Sequence, residues 1–98
     1  MDRYWLKHYP ANVPHNVNPA EFSSLRDLIE QGCARHAAKP AYTSMGRTLT
    51  FAQLEARSRA FGAWLQREAG LGKGDRIALM MPNVLQYPIA LFGALRAG

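Results

Sequence analysis

The sequence predicts an α/β fold in which helices pack on a short, incomplete sheet, and three observations support this prediction. Residues 77–81 form a continuous apolar run between a glycine-rich turn and the pair Pro82 and Asn83, a pattern typical of a strand buried on both faces. A helical pattern follows as far as Gly98, as expected for a crossover helix. A hairpin pattern and a long amphipathic helix precede them. The next parallel strand is expected just after Gly98, so the chain looks incomplete.

The composition is that of a globular protein with a basic surface. Hydrophobic residues make up 48% and charged residues 19% of the 98 residues, which argues against disorder and fibrous repeats. The net charge of +5 could attract nucleic acid, anionic lipid or a phosphorylated substrate. The basic residues are scattered over different predicted elements, so a solvated surface is favoured. They include Arg26, Arg35, Lys39, Arg47, Arg57, Arg59, Arg67, Lys73, Arg76 and Arg96.

The sequence predicts a cytoplasmic location. The first residues lack an uninterrupted apolar stretch, and no window approaches the roughly 18 apolar residues of a spanning helix. The single cysteine, Cys33, excludes an internal disulfide and points to a reducing compartment. We expect Cys33 to be a buried thiol rather than a nucleophile.

Residues 1–22 are predicted to form an extended arm without regular structure, and residues 23–98 the start of a domain. Prolines and asparagines recur along the arm and disfavour regular structure there. Its aromatic side chains are expected to pack against a larger body, and contact with a membrane surface is the less favoured alternative. These aromatic residues are Tyr4, Trp5, Tyr9 and Phe22.

A first helix is predicted from its caps and its apolar spacing. Ser24, with Asp27 three residues later, marks the start of the helix, and Pro40 marks the stop. His36 is interpreted as a residue at the helix end. The predicted apolar face contains Leu25, Leu28, Ile29, Cys33 and His36.

A hairpin and the longest helix are predicted next. Residues 41–44 and 47–50 flank Met45 and Gly46, which indicates a hairpin with glycine at the turn. Thr50 and Gln53 form a capping box that opens the long helix, and Gly70 is its expected C′ residue. The predicted apolar stripe of this helix contains Leu54, Ser58, Phe61, Trp64 and Leu65.

The last helix is predicted to start near residues 84–86, because Pro88 is tolerated only in a first turn. Pro82 and Asn83 are well placed for a ligand contact, since ligands of open α/β sheets bind at the carboxyl ends of strands. The favoured interpretation of Asn83 is nevertheless the N-cap of this helix.

No catalytic, cofactor-binding or metal-ligating residue is assigned. The glycines of residues 70–74 suggest a phosphate loop, but they close a helix and precede a strand, which is the reverse of the order in dinucleotide folds. A tight turn is favoured. Asp75 beside Arg76 favours turn capping and ion pairing over acid–base chemistry. The three histidines lack the spacing of metal ligands.

Five segments, in order and in spacing, resemble the start of the adenylate-forming acyl-CoA ligases. They read KPAY at 39–42, TLTFAQL at 48–54, GKGDRIA at 72–78, MPN at 81–83 and ALRAG at 94–98. Residues 82–88 and the aromatic region at 5–10 are similar to the bacterial long-chain fatty acid branch of that family.

The resemblance implies the N-terminal part of the large domain of the adenylate-forming fold. It implies an enzyme that activates a fatty acid with ATP and Mg²⁺ to an acyl-adenylate and then transfers the acyl group to coenzyme A. The family's phosphate loop, metal-binding residues and lysine-bearing lid are expected beyond residue 98, so this chain is expected to be inactive scaffold. The resemblance leaves open a peripheral position on the inner face of the membrane and homodimer formation by the full-length enzyme.

Three alternatives stay open at this point. They are another branch of the adenylate-forming ligases, a non-enzymatic basic module that binds nucleic acid or a membrane surface, and the product of a truncated gene without function. A Ser/Thr/Gly-rich loop in the downstream reading frame would indicate the ligase, for which no nucleic-acid partner is expected. Binding that weakens steeply with salt would indicate the basic module.

Overall fold

The computed structural model describes residues 2–98, and within them it contains three α-helices and one two-stranded antiparallel sheet. An α/β architecture is therefore confirmed. The elements follow the order α1 (Leu25–Arg35), β1 (Pro40–Ser44), β2 (Arg47–Thr50), α2 (Phe51–Arg67) and α3 (Gln86–Ala97).

Both predicted N-terminal caps are present. The Ser24 hydroxyl accepts a hydrogen bond from the Asp27 N–H at 3.0 Å. The Thr50 hydroxyl accepts from the Gln53 N–H at 3.2 Å, and the Gln53 side chain accepts from the Thr50 N–H at 3.0 Å, which completes the capping box. His36 is the C-cap of α1, as predicted, so the helix ends ahead of Pro40.

The hairpin is also confirmed. Tyr42 pairs with Leu49, and Ser44 pairs with Arg47. Met45 (φ 50°) and Gly46 (φ 73°) both lie in the left-handed region, as a type I′ turn requires. Leu49 is almost completely buried and joins Cys33 and Leu54 in the core, so the predicted burial of Cys33 is confirmed.

Helices α2 and α3 pack with their backbones in close approach. A Cβ atom at Gly62 would lie 2.9 Å from the Gly93 carbonyl oxygen, and one at Gly93 would lie 2.9 Å from the Ser58 carbonyl oxygen. Only glycine fits at this crossing. Ser58 is fully buried here, as the apolar stripe predicted, whereas Trp64 is 52% exposed and does not belong to the core.

The predicted strand at residues 77–81 is not formed. The segment has no assigned strand, and within residues 2–98 no backbone hydrogen bond involves residues 76–81. A strand is defined by its hydrogen-bonded neighbour, and the described chain offers none here. The radius of gyration is 16.8 Å, whereas a compact domain of this length has about 13 Å.

Two predicted helix boundaries need correction. Asn83 is not the cap of α3: Leu85 occupies that position and provides no side-chain hydrogen bond. Pro88 does lie in the first turn, as predicted. Helix α2 ends at Arg67, earlier than expected, although Gly70 has the left-handed conformation (φ 66°) that reverses the chain.

The N-terminal arm contains one regular element that the sequence analysis did not predict. Residues Tyr4–His8 form a short 3₁₀-helix. The arm is held to itself by a 2.9 Å hydrogen bond from Arg3 Nη1 to Asn16 Oδ1. Tyr4 remains 72% exposed, and its ring meets that of Trp5 edge to face.

Candidate functional site

A cleft lies between the hairpin and the start of α3, where residues 77–81 end. Its volume is about 290 Å³. It lies where a ligand contact of Pro82 and Asn83 was the less favoured prediction from the sequence, and Asn83 is on its wall. The lining residues are Tyr42, Thr43, Ser44, Asn83, Val84, Leu85, Tyr87, Pro88 and Leu91.

Two of the hydroxyl groups that line this cleft, those of Thr43 and Ser44, are engaged within the chain. The Ser44 hydroxyl donates to the Asn83 carbonyl oxygen at 3.4 Å, and the Thr43 and Thr48 hydroxyls lie 3.0 Å apart. The Val84 N–H donates to the Pro82 carbonyl oxygen at 2.8 Å. The remaining lining is mostly apolar, so the cleft can hold an apolar group but offers no paired acid and base.

The glycine-rich segment forms a tight turn, as predicted. The Gly72 N–H donates to Asp75 Oδ2 at 2.7 Å, and the Asp75 N–H donates back to the Gly72 carbonyl oxygen at 3.1 Å. The Gly74 N–H donates to the Gly98 carbonyl oxygen at 2.9 Å. These donors are engaged within the chain, which is not the arrangement of a phosphate-binding loop.

An ionic cluster joins the three helices, and the sequence analysis missed it. Arg96 of α3 contacts Glu30 of α1 at 3.1 Å and also Glu55 of α2. Its side chain is only 7% exposed, so its assignment to the solvated basic surface was wrong. Arg26 pairs with Glu30, and Arg59 pairs with Glu55, each across one helical turn.

Only part of this cluster leaves a signal in the sequence. The pairs Arg26–Glu30 and Glu55–Arg59 have the i, i+4 spacing that brings opposite charges together on a helix. The bridges from Arg96 to two other helices depend on how the helices cross. No local spacing encodes them.

The pKa values of Asp27, Glu30 and Cys33, in or beside the cluster, are shifted from their ordinary values. The Arg26 side chain, which donates to Glu30, lowers the pKa of that carboxyl. The Gln31 side chain does the same for the pKa of Asp27. Burial raises the pKa of the Cys33 thiol, which disfavours the reactive thiolate.

The cluster's chemistry is structural. Three arginines and two glutamates pair across α1, α2 and α3 with one net positive charge, and each carboxylate contacts two guanidinium groups. Nothing in it pairs a nucleophile with a base. Within residues 2–98 no three His, Cys, Asp or Glu side chains are grouped as they would be around a metal ion.

The helices of the described chain are all too short or too polar to cross a membrane. That the chain has no catalytic or ligand-binding residue of its own stays a prediction.

Comparison with known proteins identifies the family. The family model described as "AMP-binding enzyme" matches residues 29–98. The chain therefore belongs to the AMP-binding enzyme family, and the resemblance found in the sequence is confirmed.

Individual curated proteins that the chain resembles have a more specific name than the family. Over its whole length the chain is 59% identical to a long-chain-fatty-acid--CoA ligase of Escherichia coli O6:H1, of which it covers 18%. It is 58% identical to the enzyme of the same name from Yersinia pestis and 50% identical to that of Haemophilus influenzae, covering 17% of each. The chain thus spans less than a fifth of these ligases. No solved structure matches it.

Proposed function

We propose that this chain is the N-terminal scaffold of a long-chain fatty acid–CoA ligase. One observation carries the proposal: all 98 residues align with ligases of that name at 50–59% identity. Triostin synthetase I matches less well, at 34% identity over 76 residues. This difference favours the fatty acid branch over other adenylate-forming branches.

The reaction is the ATP-dependent activation of a fatty acid carboxylate to an acyl-adenylate, followed by transfer of the acyl group to the coenzyme A thiol. The Gly72 and Gly74 N–H groups of the glycine-rich turn already donate within the chain, which supports placing the nucleotide elsewhere. We expect ATP, Mg²⁺ and coenzyme A to bind to residues outside this chain. The chain alone is inactive.

The proposed domain boundary lies between the N-terminal arm and the helical core. Residues 1–22 act as an arm and residues 23–98 as the start of the AMP-binding domain, the large domain of the ligase. Support comes from the buried residues among 2–98, which lie in α1, β2, α2 and α3. The exposed Tyr4 and Val17 of the arm pack against the rest of the enzyme.

The enzyme works in the cytoplasm, where ATP and coenzyme A are available. A peripheral position on the inner face of the membrane and a homodimer are the remaining parts of the proposal. The exposed aromatic residues of the arm, with Lys7 beside them, suit either lipid headgroups or a protein surface. Flotation of the full-length enzyme with anionic vesicles, with and without the arm, separates these roles.

A nucleic-acid module is disfavoured by the structure. Arg26, Arg59 and Arg96 each pair with a glutamate, so these arginines are not available as a phosphate-binding surface.

A chimera tests the proposed function. The 98 residues replace the matched region of the Escherichia coli ligase, and acyl-CoA formation from a long-chain fatty acid, ATP, Mg²⁺ and coenzyme A is measured. We expect activity within about tenfold of the parent, because packing across the junction tolerates substitutions of conserved volume. The matched controls are the isolated chain and the ligase without its matched region, and both are expected to be inactive.

The same assay separates the branches. Adenylate formation with acetate, an aryl acid or an amino acid in place of the fatty acid would contradict the long-chain assignment. A folded chimera that forms no adenylate from any of these acids would contradict the scaffold proposal itself.

A further inference from the structure

The ionic cluster at the helix junction lines a polar cavity. The cavity has a volume of about 220 Å³ and is formed by side chains of α1, α2 and α3. Arg26, Arg59 and Arg96 all line it, together with Glu30 and Gln66. A single buried water needs roughly 10–15 Å³ of such volume, so the cavity has room for a small ligand.

The cluster carries more positive than negative charge. Its three guanidinium groups face only two carboxylates, those of Glu30 and Glu55, which leaves one positive charge in excess. Arg26 and Arg59 each pair with one glutamate, and their side chains are 60% and 69% exposed. These pairs prevent an extended phosphate-binding surface, but one monovalent anion would still balance the cluster.

The most buried member of the cluster has an unused donor. The Arg96 side chain is only 7% exposed, and its two terminal nitrogen atoms contact Glu30 and Glu55. Within residues 2–98 its Nε atom has no hydrogen-bond partner. A buried donor is destabilising unless an acceptor reaches it. Charge and hydrogen bonding therefore both indicate a further anionic acceptor at this cavity.

We propose that the cavity binds a small carboxylate, which becomes the third carboxylate of the cluster. Guanidinium groups present parallel N–H donors that match the two oxygens of a carboxylate. One negative charge balances the excess, whereas the second charge of a phosphate would face Glu30. The carboxylate contacts Arg26 and Arg59, and the Arg96 guanidinium turns its buried Nε–H toward the ligand. The site is an exception to the expectation that this chain has no ligand-binding residue.

Two sources share this chemistry. One is a free carboxylate from solution. The other is an acidic side chain in a part of the ligase that this chain does not contain, since the chain covers 18% of the Escherichia coli ligase. Only the second source rests on the proposed function. Acetate is the probe for both.

Acetate titration of the 98-residue chain tests the site. The ¹⁵N–¹H resonances of the arginine Nε–H groups are followed at constant pH and ionic strength, with sodium chloride as the reference salt. We expect a saturable shift of the Arg96 signal, and exchange of its hydrogen with water that is at least about tenfold slower. Chloride should produce neither change.

Three results of this titration would overturn the proposal. The absence of a response to acetate would do so directly. An equal response to chloride would show an adventitious ion only. Tighter binding of inorganic phosphate than of acetate would overturn the assignment to a carboxylate.

Substitutions at one wall of the cavity localise the bound acetate. Arg59→Met removes a guanidinium group, and we expect the affinity for acetate to fall at least about tenfold. Arg59→Lys keeps the charge but loses the forked donors, so a smaller loss is expected. Arg57→Met is the matched control, because Arg57 is exposed on the same helix and lies outside both the cavity and the cluster.

Circular dichroism checks the helices of each variant, which should be intact because the Arg59 side chain is 69% exposed. Equal affinities of the Arg59→Met and Arg57→Met variants would place the acetate elsewhere and overturn the proposed site.

The chimera with the rest of the ligase separates the two sources. If the carboxylate comes from solution, acetate raises the unfolding temperature of the chimera more than chloride does, and Arg59→Met removes the difference. If the chain binds acetate and the chimera does not, a ligase side chain occupies the site. Acetate binding with an inactive chimera would support the site and contradict the proposed function, whereas an active chimera without any acetate response in the free chain would do the reverse.

Discussion

The junction of the three helices is packed and ion-paired within the described chain. The extended segment at residues 76–81 has no backbone hydrogen-bond partner there. At the junction, Arg96 is paired with Glu30 and Glu55, and the glycines of α2 and α3 let the backbones touch. In the segment, exposed Ile77 and Met80 have no covering layer within the described chain. Closely spaced elements thus complete a helical core, whereas a parallel strand depends on a neighbour supplied from elsewhere.

The largest change in the free energy of unfolding is expected for a substitution where α2 and α3 cross. Gly93→Ala places a methyl group 2.7 Å from Phe61 Cδ1 and 2.9 Å from the Ser58 carbonyl oxygen, which forces the helices apart. We expect the free energy of unfolding to fall by about 3 kcal/mol, measured by urea denaturation with circular dichroism.

Gly32→Ala in α1 is the matched control for the crossing. A Cβ atom there meets nothing within 4 Å, so the better helix propensity of alanine should raise stability by about 0.5–1 kcal/mol. Equal effects at the two glycines would show that the crossing is not tightly packed.

The next effect is expected at the ionic cluster. Arg96→Met removes the guanidinium that bridges two glutamates and leaves their charges facing the helix junction. We expect a loss of about 2 kcal/mol in the free energy of unfolding. Arg26→Met removes only an exposed pair and should cost less than about 1 kcal/mol; a larger loss than at Arg96 would refute this ranking.

A smaller change in the free energy of unfolding is expected when the pH is lowered. The pKa values of Asp27 and Glu30 are lowered in the folded chain, chiefly by hydrogen bonds from Gln31 and Arg26 respectively. The two carboxylates therefore stabilise the fold at pH values above about 4, which is their pKa in the unfolded chain. This stabilisation is lost as the pH falls through their lower pKa values in the folded chain.

Urea denaturation at a series of acidic pH values measures this loss. The double change Asp27→Asn with Glu30→Gln should flatten the decline below about pH 4. Glu21→Gln, in the arm, is the matched control. If the double variant declines as steeply as the parent, these two carboxylates do not account for the acid sensitivity.

The smallest effect is expected in the extended segment. Met80→Lys changes a side chain that is 97% exposed, so the free energy of unfolding of this chain should change by less than about 0.5 kcal/mol. The same change in the full-length chimera is expected to reduce soluble yield or activity, since the lysine would enter a paired sheet. A large loss of stability in the 98-residue chain would mean that Met80 is already packed there.

Local elements could be predicted from the sequence because their determinants lie a few residues apart. Ser24 with Asp27, Thr50 with Gln53 and Met45 with Gly46 each fix a cap or a turn by their own chemistry, and all three predictions are confirmed. The cap assigned to Asn83 was wrong because the chain makes a further turn before α3, with the Val84 N–H bonded to the Pro82 carbonyl oxygen.

Features that depend on distant residues could not be predicted in this way. A ligand contact at Asn83 was the less favoured prediction, and the cleft wall formed by Tyr42 and Ser44 was not predicted, because their approach depends on how the hairpin meets α3. Arg96 was predicted to be a surface charge, since a basic residue near a helix end usually lies in solvent.

By itself, the sequence determined the α/β class, the N-caps of α1 and α2, the hairpin turn, the limits of α3 and the family, because these follow from short-range spacing and from motifs in order. Only the tertiary structure decided that Arg96 is buried between two glutamates, that Gly62 and Gly93 mark a helix crossing, and that residues 77–81 lie unpaired. The physical reason is common to all three: each depends on contacts between elements, and an apolar run records a tendency to be buried without specifying the partner that buries it.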